Sequence, residues 1–210
     1  MTIDHKFIDQ FVNITSKAAV ASYNLIGKKD KIAADKATVD SMRNNLNQLN
    51  IKGKIVIGEG ELDEAPMLYI GEEVGTRNGP EIDIAVDPLE GTNFAANNLP
   101  GALSVIAIAE KNNLFHAPET YMEKISTKVS EKGVIDLDYS VKENIFNLCE
   151  YLNKKPQSIT ACIMDRPRHK EIIDELNILG VKIKLITDGD VSGALLVTDD
   201  KYGVDIFLGI

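Results

Sequence analysis

The sequence predicts an α/β protein whose first part is α+β. From Ser140 onward, helical and extended patterns alternate: helix 140–153, strand 159–164, helix 167–179, strand 181–187, helix 191–198, strand 204–208. That alternation is the pattern of α/β units with parallel strands. Ahead of it, two helical segments lead into three short apolar strands. The change of rhythm divides the chain into 1–139 and 140–210.

Residues 4–26 read as a helix, because Phe7, Ile8, Phe11, Val12, Ile14, Ala18, Ala19 and Ala21 mark an apolar face and Gly27 offers a stop. A second helix runs from about Ala33 to Leu49, with Val39, Met42, Leu46 and Leu49 at helical spacing. Gly53–Gly58 is a strand bounded by glycines. Ile82–Asp87 is a second strand, cut off by Pro88. Residues 102–109 form a third, so apolar that it belongs in the centre of a sheet. The stretch 121–139 is β-rich.

The chain has 210 residues and a formal net charge of −9, with 32 acids against 23 lysines and arginines. An acidic balance argues against a nucleic-acid partner, whose phosphates need a basic surface. A phosphorylated small molecule stays compatible, since bound divalent cations reverse the field of an acidic pocket. No apolar run reaches the roughly 18 residues of a spanning helix, and the N-terminus does not open a signal peptide. Cys149 and Cys162 lie in apolar runs and read as buried free thiols of a cytoplasmic protein.

The chemistry gathers at strand ends. Asp87-Pro88-Leu89-Glu90-Gly91-Thr92 follows an apolar strand, the place where open α/β sheets put ligands. Pro88 sets the exit of the chain, Gly91 lets backbone approach a bound group, and Thr92 could cap a helix over Phe94–Asn98. Asp87 and Glu90 offer hard oxygens that suit Mg²⁺ or Mn²⁺ better than zinc. A second acidic turn carries Glu59, Glu61, Asp63 and Glu64, whose charges repel unless a cation sits among them. Asp35 stands near a helix start, where an acid also complements the helix dipole. Asp165-Arg166-Pro167-Arg168-His169 follows another strand, and its arginines can grip a phosphate. Asp188-Gly189-Asp190 follows the next, where acids can accept hydrogen bonds from sugar hydroxyls or cap a helix. The three histidines show no spacing typical of ligands, though His169 can line the arginine turn.

These motifs, taken in order, resemble the class II fructose-1,6-bisphosphatases of bacteria. The resemblance rests on Gly58-Glu59-Gly60-Glu61 through Tyr69, on Val86–Asn93, and on Asn98–Val105. It continues through Ala117–Lys124, Asp165–His169 and Asp188–Asp190. The Asp-Pro-x-acid-Gly-Thr core alone is shared by a wider superfamily of lithium-sensitive phosphatases. The resemblance implies a layered αβαβα sugar-phosphatase fold, Mn²⁺ or Mg²⁺ dependence and cleavage of the 1-phosphate of fructose 1,6-bisphosphate in gluconeogenesis. It implies metal ligation by Asp35, Glu59, Asp87 and Glu90. It implies sugar-phosphate binding by Glu90, Gly91, Thr92, Tyr121, Arg166, Pro167, Arg168, Asp188, Gly189 and Asp190, in a homodimer or homotetramer. Thr92 is then the candidate to orient the attacking water. Asp63 is a candidate for a water or metal contact, and Lys31 for a nearby charge partner.

Two departures stand out. Gly27-Lys28-Lys29-Asp30-Lys31 replaces a more glycine-rich stretch. The chain also stops on the apolar run Val204–Ile210, where family members continue for ~100 further residues, including another metal-ligand glutamate. The expectation is therefore a member incomplete at its C-terminal side and weakly active or inactive alone. The rival readings are a related sugar, inositol or sedoheptulose phosphate phosphatase, and a metal-binding relic without turnover.

Overall fold

A computed structural model of the chain describes residues 5–58, 67–116 and 120–210. The chain separates into two compact units, Met1–Glu119 and Thr120–Ile210.

In the first unit, helix α1 (Lys6–Ala21) continues into a 3₁₀ turn at Tyr23–Leu25, and helix α2 (Lys31–Leu46) follows. Asp30 caps α2 by accepting from the Ala33 N–H at 2.9 Å, satisfying a helix-end donor that would otherwise lack a partner. A four-stranded sheet has the order β2-β1-β3-β4, with β1 Lys52–Ile57, β2 Glu73–Val74, β3 Glu81–Glu90 and β4 Leu103–Glu110. β1 and β3 are parallel, while β3 and β4 are antiparallel. Phe7, Phe11, Ile14, Val39, Met42 and Leu46 of the two helices share one core with Ile55, Ile82, Ile84 and Val86 of the sheet. Helix α3 (Thr92–Ala96) links β3 to β4.

Two strand expectations change here. Pro88 does not end its strand: β3 runs to Glu90, and its pairing with β4 shifts register between Asp87 and Glu90. A bulge leaves a residue out of the ladder, so the missing N–H of proline costs no hydrogen bond there. β4, expected in the centre, is an edge among the described strands. β1 and β3 hold the interior places, and β3 buries Ile82, Ile84, Val86 and Leu89. An apolar run measures burial, and burial by helices on one face does not require two strand neighbours.

In the second unit, the sheet order is β5-β8-β6-β7, with β5 Lys124–Ser126, β6 Thr160–Met164, β7 Lys182–Ile186 and β8 Ile206–Gly209. β6, β7 and β8 are parallel, as the alternating rhythm predicts, and β5 is antiparallel to β8. Helix α4 (Val141–Leu152) opens with a capping box of Ser140 and Glu143. α5 spans Lys170–Leu179 and α6 spans Asp190–Leu195. Ile145, Leu148, Ile159, Ile163, Leu176 and Ile206 lie at the centre of the core.

The division falls at 119/120 and not at 139/140. The stretch 121–139 holds only the short β5 and turns, but β5 pairs with β8, and Val134 joins the core of the second unit. Nothing local to that stretch announces a partner some eighty positions later in the chain.

Candidate functional site

The motifs of the first unit meet through small side chains. Ala34 of α2 clusters with Leu89 of β3 and Ala95 of α3. Three small or compact residues let the helix lie close to the turn that follows β3, so Asp35, next to Ala34, comes beside the Asp87–Thr92 segment. The Asp35 Oδ1 is buried and accepts no hydrogen bond among the described residues. Burial also pushes the Asp35 carboxyl above the ordinary carboxylate range, because a low-dielectric setting penalises the charged form. An orphaned buried carboxylate oxygen is costly unless a cation or donor completes it.

Gly91 has φ +79°, and a Cβ built on it would lie 2.7 Å from Phe94 Cδ2. It is the N-cap of α3, and Thr92 is the first residue of that helix. Thr92 is thus not the cap that its residue type suggests: its backbone is already helical, which leaves its hydroxyl free of capping. Thr92 and Glu90 are both half-buried. Glu59 and Asp63 lie outside the described residues. Among the described residues no three His, Cys, Asp or Glu side chains assemble into a metal-binding group. The donor type of Asp35, Asp87 and Glu90 still fits a hard divalent ion, and the orphaned Asp35 oxygen asks for one.

Met67 and Glu72 are held by a residue the sequence pattern passed over. Arg43 Nε donates to Glu72 Oε1 at 2.7 Å, its Nη2 donates to Oε2 at 3.0 Å, and Nη2 also donates to the Met67 carbonyl. Both side chains of the pair are largely buried. Arg43 sits one residue beyond the core residue Met42, and an arginine in that position usually reads as solvated. Its partner is distant in sequence, so spacing could not reveal it.

In the second unit, Met164 and Ile186 are the paired last residues of parallel β6 and β7. The arginine turn and the Asp188-Gly189-Asp190 turn therefore leave one sheet edge side by side. The Asp165 N–H donates to the Ile186 carbonyl at 2.8 Å, and Arg166 Nη2 lies 3.7 Å from Asp188 Oδ1. Pro167 opens the 3₁₀ turn Pro167–His169. The Arg168 guanidinium stacks 4.2 Å from the centroid of the exposed Tyr121 ring. Asp190 begins α6 behind Gly189 and pairs with Lys124 of β5 at 3.1 Å, while its Oδ1 is buried with no hydrogen bond among the described residues. Lys124 closes the Ala117–Lys124 stretch, but its pairing depends on the β5–β8 contact. Arg168 borders a cleft of about 260 Å³ together with Glu123, Lys124, Tyr139 and Ile210.

The larger cavity, about 640 Å³, lies in the first unit at the starting end of β3, lined by Lys52, Lys54, Arg77, Glu81 and Lys111. β3 separates it from Asp87–Thr92, and two of its cations are already paired, Arg77 with Glu73 and Lys111 with Glu81. It is not part of the motif-bearing site. Cys149 and Cys162 are free and buried, as their apolar surroundings suggest, and burial pushes the Cys162 thiol up to about 11.

The family described as bacterial fructose-1,6-bisphosphatase, glpX-encoded, matches residues 5–210. The chain belongs to that family. It is 47% identical over 208 residues to the D-fructose 1,6-bisphosphatase class 2/sedoheptulose 1,7-bisphosphatase of Synechococcus sp. (strain CC9902), covering 99% of this chain and 62% of the relative. It is 46% identical over 201 residues to the fructose-1,6-bisphosphatase 1 class 2 of Escherichia coli (strain K12), covering 96% and 60%. The chain thus spans about three-fifths of the length of these bisphosphatases. The fructose-bisphosphatase resemblance of the motifs is borne out as family membership. No helix among the described residues is long and apolar enough to cross a membrane.

Proposed function

We propose that this bisphosphatase family member hydrolyses the 1-phosphate of fructose 1,6-bisphosphate, giving fructose 6-phosphate and phosphate in gluconeogenesis. The observation that carries the reading is the packing of Ala34 on Leu89 and Ala95, which brings the orphaned Asp35 oxygen beside the segment bearing Asp87 and Glu90.

Asp35, Glu59, Asp87 and Glu90 would hold Mn²⁺, with Mg²⁺ as the alternative. Such an ion, when bound, supplies neutralisation of the phosphoryl charge and a more acidic water. The remaining work falls to the chain. Gly91 supplies the left-handed turn that lets the backbone of Glu90–Thr92 face the phosphate. Thr92 directs its hydroxyl at the attacking water. That water forms the new P–O bond, the bond between phosphorus and the C1 oxygen breaks, and the proton that the water gives up balances the one the leaving sugar oxygen takes. Arg166 and Arg168 balance charge on the distal phosphate, and Asp188 and Asp190 accept from sugar hydroxyls. The acidic net charge fits a cytoplasmic enzyme that meets its anionic substrate through cations. A homo-oligomer, dimer or tetramer, is part of the same reading.

A second substrate, sedoheptulose 1,7-bisphosphate, is favoured by the name of the Synechococcus relative. Both sugars present a phosphorylated C1 and a distal phosphate, so one pair of arginines can serve both. The deciding experiment is Mn²⁺-dependent phosphate release from fructose 1,6-bisphosphate, sedoheptulose 1,7-bisphosphate and inositol 1-phosphate, with Asp87→Ala alongside. The two bisphosphates should turn over, inositol 1-phosphate should not, and Asp87→Ala should abolish release. Near-normal turnover by Asp87→Ala would overturn the assignment.

A further inference from the structure

We propose that His169 is a positioning residue for the arginine turn: it anchors the backbone of Ile210 at its N–H, and the Ile210 backbone oxygen aims the Arg168 guanidinium at a phosphoryl group of the sugar bisphosphate. The inference rests on the substrate-site reading above and adds a residue to it.

The His169 ring is fully buried, and both of its nitrogens meet backbone. Nδ1 lies 2.7 Å from the Met164 carbonyl. A carbonyl only accepts, so Nδ1 carries the hydrogen. Nε2 then presents a lone pair, and the Ile210 N–H donates to it at 2.9 Å. A doubly protonated ring would set two N–H groups against each other at that distance. The geometry therefore assigns the neutral Nδ1–H tautomer.

The Ile210 carbonyl passes the anchor on. It lies 3.3 Å from Nε2, which has no hydrogen to give it, and it accepts instead from Arg168 Nε at 2.8 Å. One face of the guanidinium is covered by Tyr121, stacked at 4.2 Å. Arg168 is thus held at Nε and over one face. Its two terminal nitrogens make no hydrogen bond among the described residues. Those are the parallel donors that a phosphoryl group takes two at a time. The order of contacts is the end of β6, the His169 ring, the residue after β8, and Arg168. One ring ties the exits of two neighbouring strands and pre-sets an arginine that would otherwise lose rotamer freedom on binding.

Two near-isosteres separate the two bonds. His169→Gln keeps an acceptor at the Nε2 position and loses the donor to Met164. His169→Asn keeps a donor at the Nδ1 position and loses the acceptor for the Ile210 N–H. Each variant loses one hydrogen bond and part of the ring's packing, so a purely structural role moves both alike. Two measurements are needed: solvent exchange of the Arg168 Nε–H by NMR, and KM with kcat for fructose 1,6-bisphosphate. The expected result is slow Nε–H exchange in the parent and in His169→Gln, and fast exchange in His169→Asn. KM should rise about tenfold in His169→Asn alone, with kcat held within about twofold, as loss of uniform binding requires. Equal exchange and equal KM in the two variants would overturn the proposal. So would a fall in kcat without a change in KM. Slow Nε–H exchange in a parent whose Arg168 shows no shift on titration with fructose 1,6-bisphosphate would overturn the substrate-site reading, and leave the anchor standing as structure only.

Discussion

The Arg168 guanidinium lies over the Tyr121 ring, its central carbon 4.2 Å from the ring centroid, and its Nε donates to the Ile210 carbonyl. A planar guanidinium can stack on the ring and donate from its Nε at the same time, whereas a compact ammonium cannot hold both contacts at once. Arg168→Lys should therefore raise KM for fructose 1,6-bisphosphate about tenfold, close to 1.4 kcal/mol, with little change in kcat. Steady-state kinetics at saturating Mn²⁺ decides it. An unchanged KM removes Arg168 from the substrate site.

Removing Arg43 strands a largely buried carboxylate. Arg43→Ala should destabilise the protein by about 3 kcal/mol, because Glu72 is left charged without its partner. The paired change Arg43→Met with Glu72→Met should recover most of that loss, since the desolvation cost leaves with the charges. Urea denaturation of the three proteins measures both steps. A double variant no better than the single would mean that the Met67 carbonyl, and not Glu72, is the important acceptor.

Gly91 is held at φ +79° against Phe94. Gly91→Ala should cost about 1–2 kcal/mol for the left-handed backbone alone, plus whatever Phe94 yields. The larger effect should fall on turnover, because Glu90 and Thr92 flank the displaced peptide. Thermal unfolding and kcat, taken together, should show a modest stability loss beside a larger activity loss.

The Asp35 oxygen that lacks a hydrogen bond makes a metal test that needs no substrate. Mn²⁺ at 100 times its Kd should stabilise the parent by about 2.7 kcal/mol. Asp35→Asn keeps the shape and loses the ligand charge, so its unfolding midpoint should respond far less to Mn²⁺. Equal Mn²⁺ shifts in both proteins would place the ion elsewhere.

Local chemistry was readable wherever the cause was local. The helices around Phe11 and Met42 and the parallel strands β6, β7 and β8 follow from side-chain periodicity. The Asp87–Thr92 turn and its family follow from residue types in sequence. Pro88 shows where such reading stops: a missing N–H forbids a ladder bond, but a bulge removes the need for one, and only the pairing of β3 with β4 reveals the bulge. Leu103–Glu110 shows the same for burial, because apolar content cannot tell a central strand from an edge covered by a helix.

The sequence by itself determined the class of fold, the order of the motifs and the metal-phosphatase family to which they belong. Those depend on residue identity and spacing along one chain. Only the tertiary structure decided which motifs share an edge, that Ala34 brings Asp35 beside Leu89, that Arg43 clamps Glu72, and that His169 reaches Arg168 through the backbone of Ile210. Each of these joins residues far apart in sequence through a contact of a few ångströms. Such contacts are set by sheet order and core packing, and no local pattern in the chain encodes them.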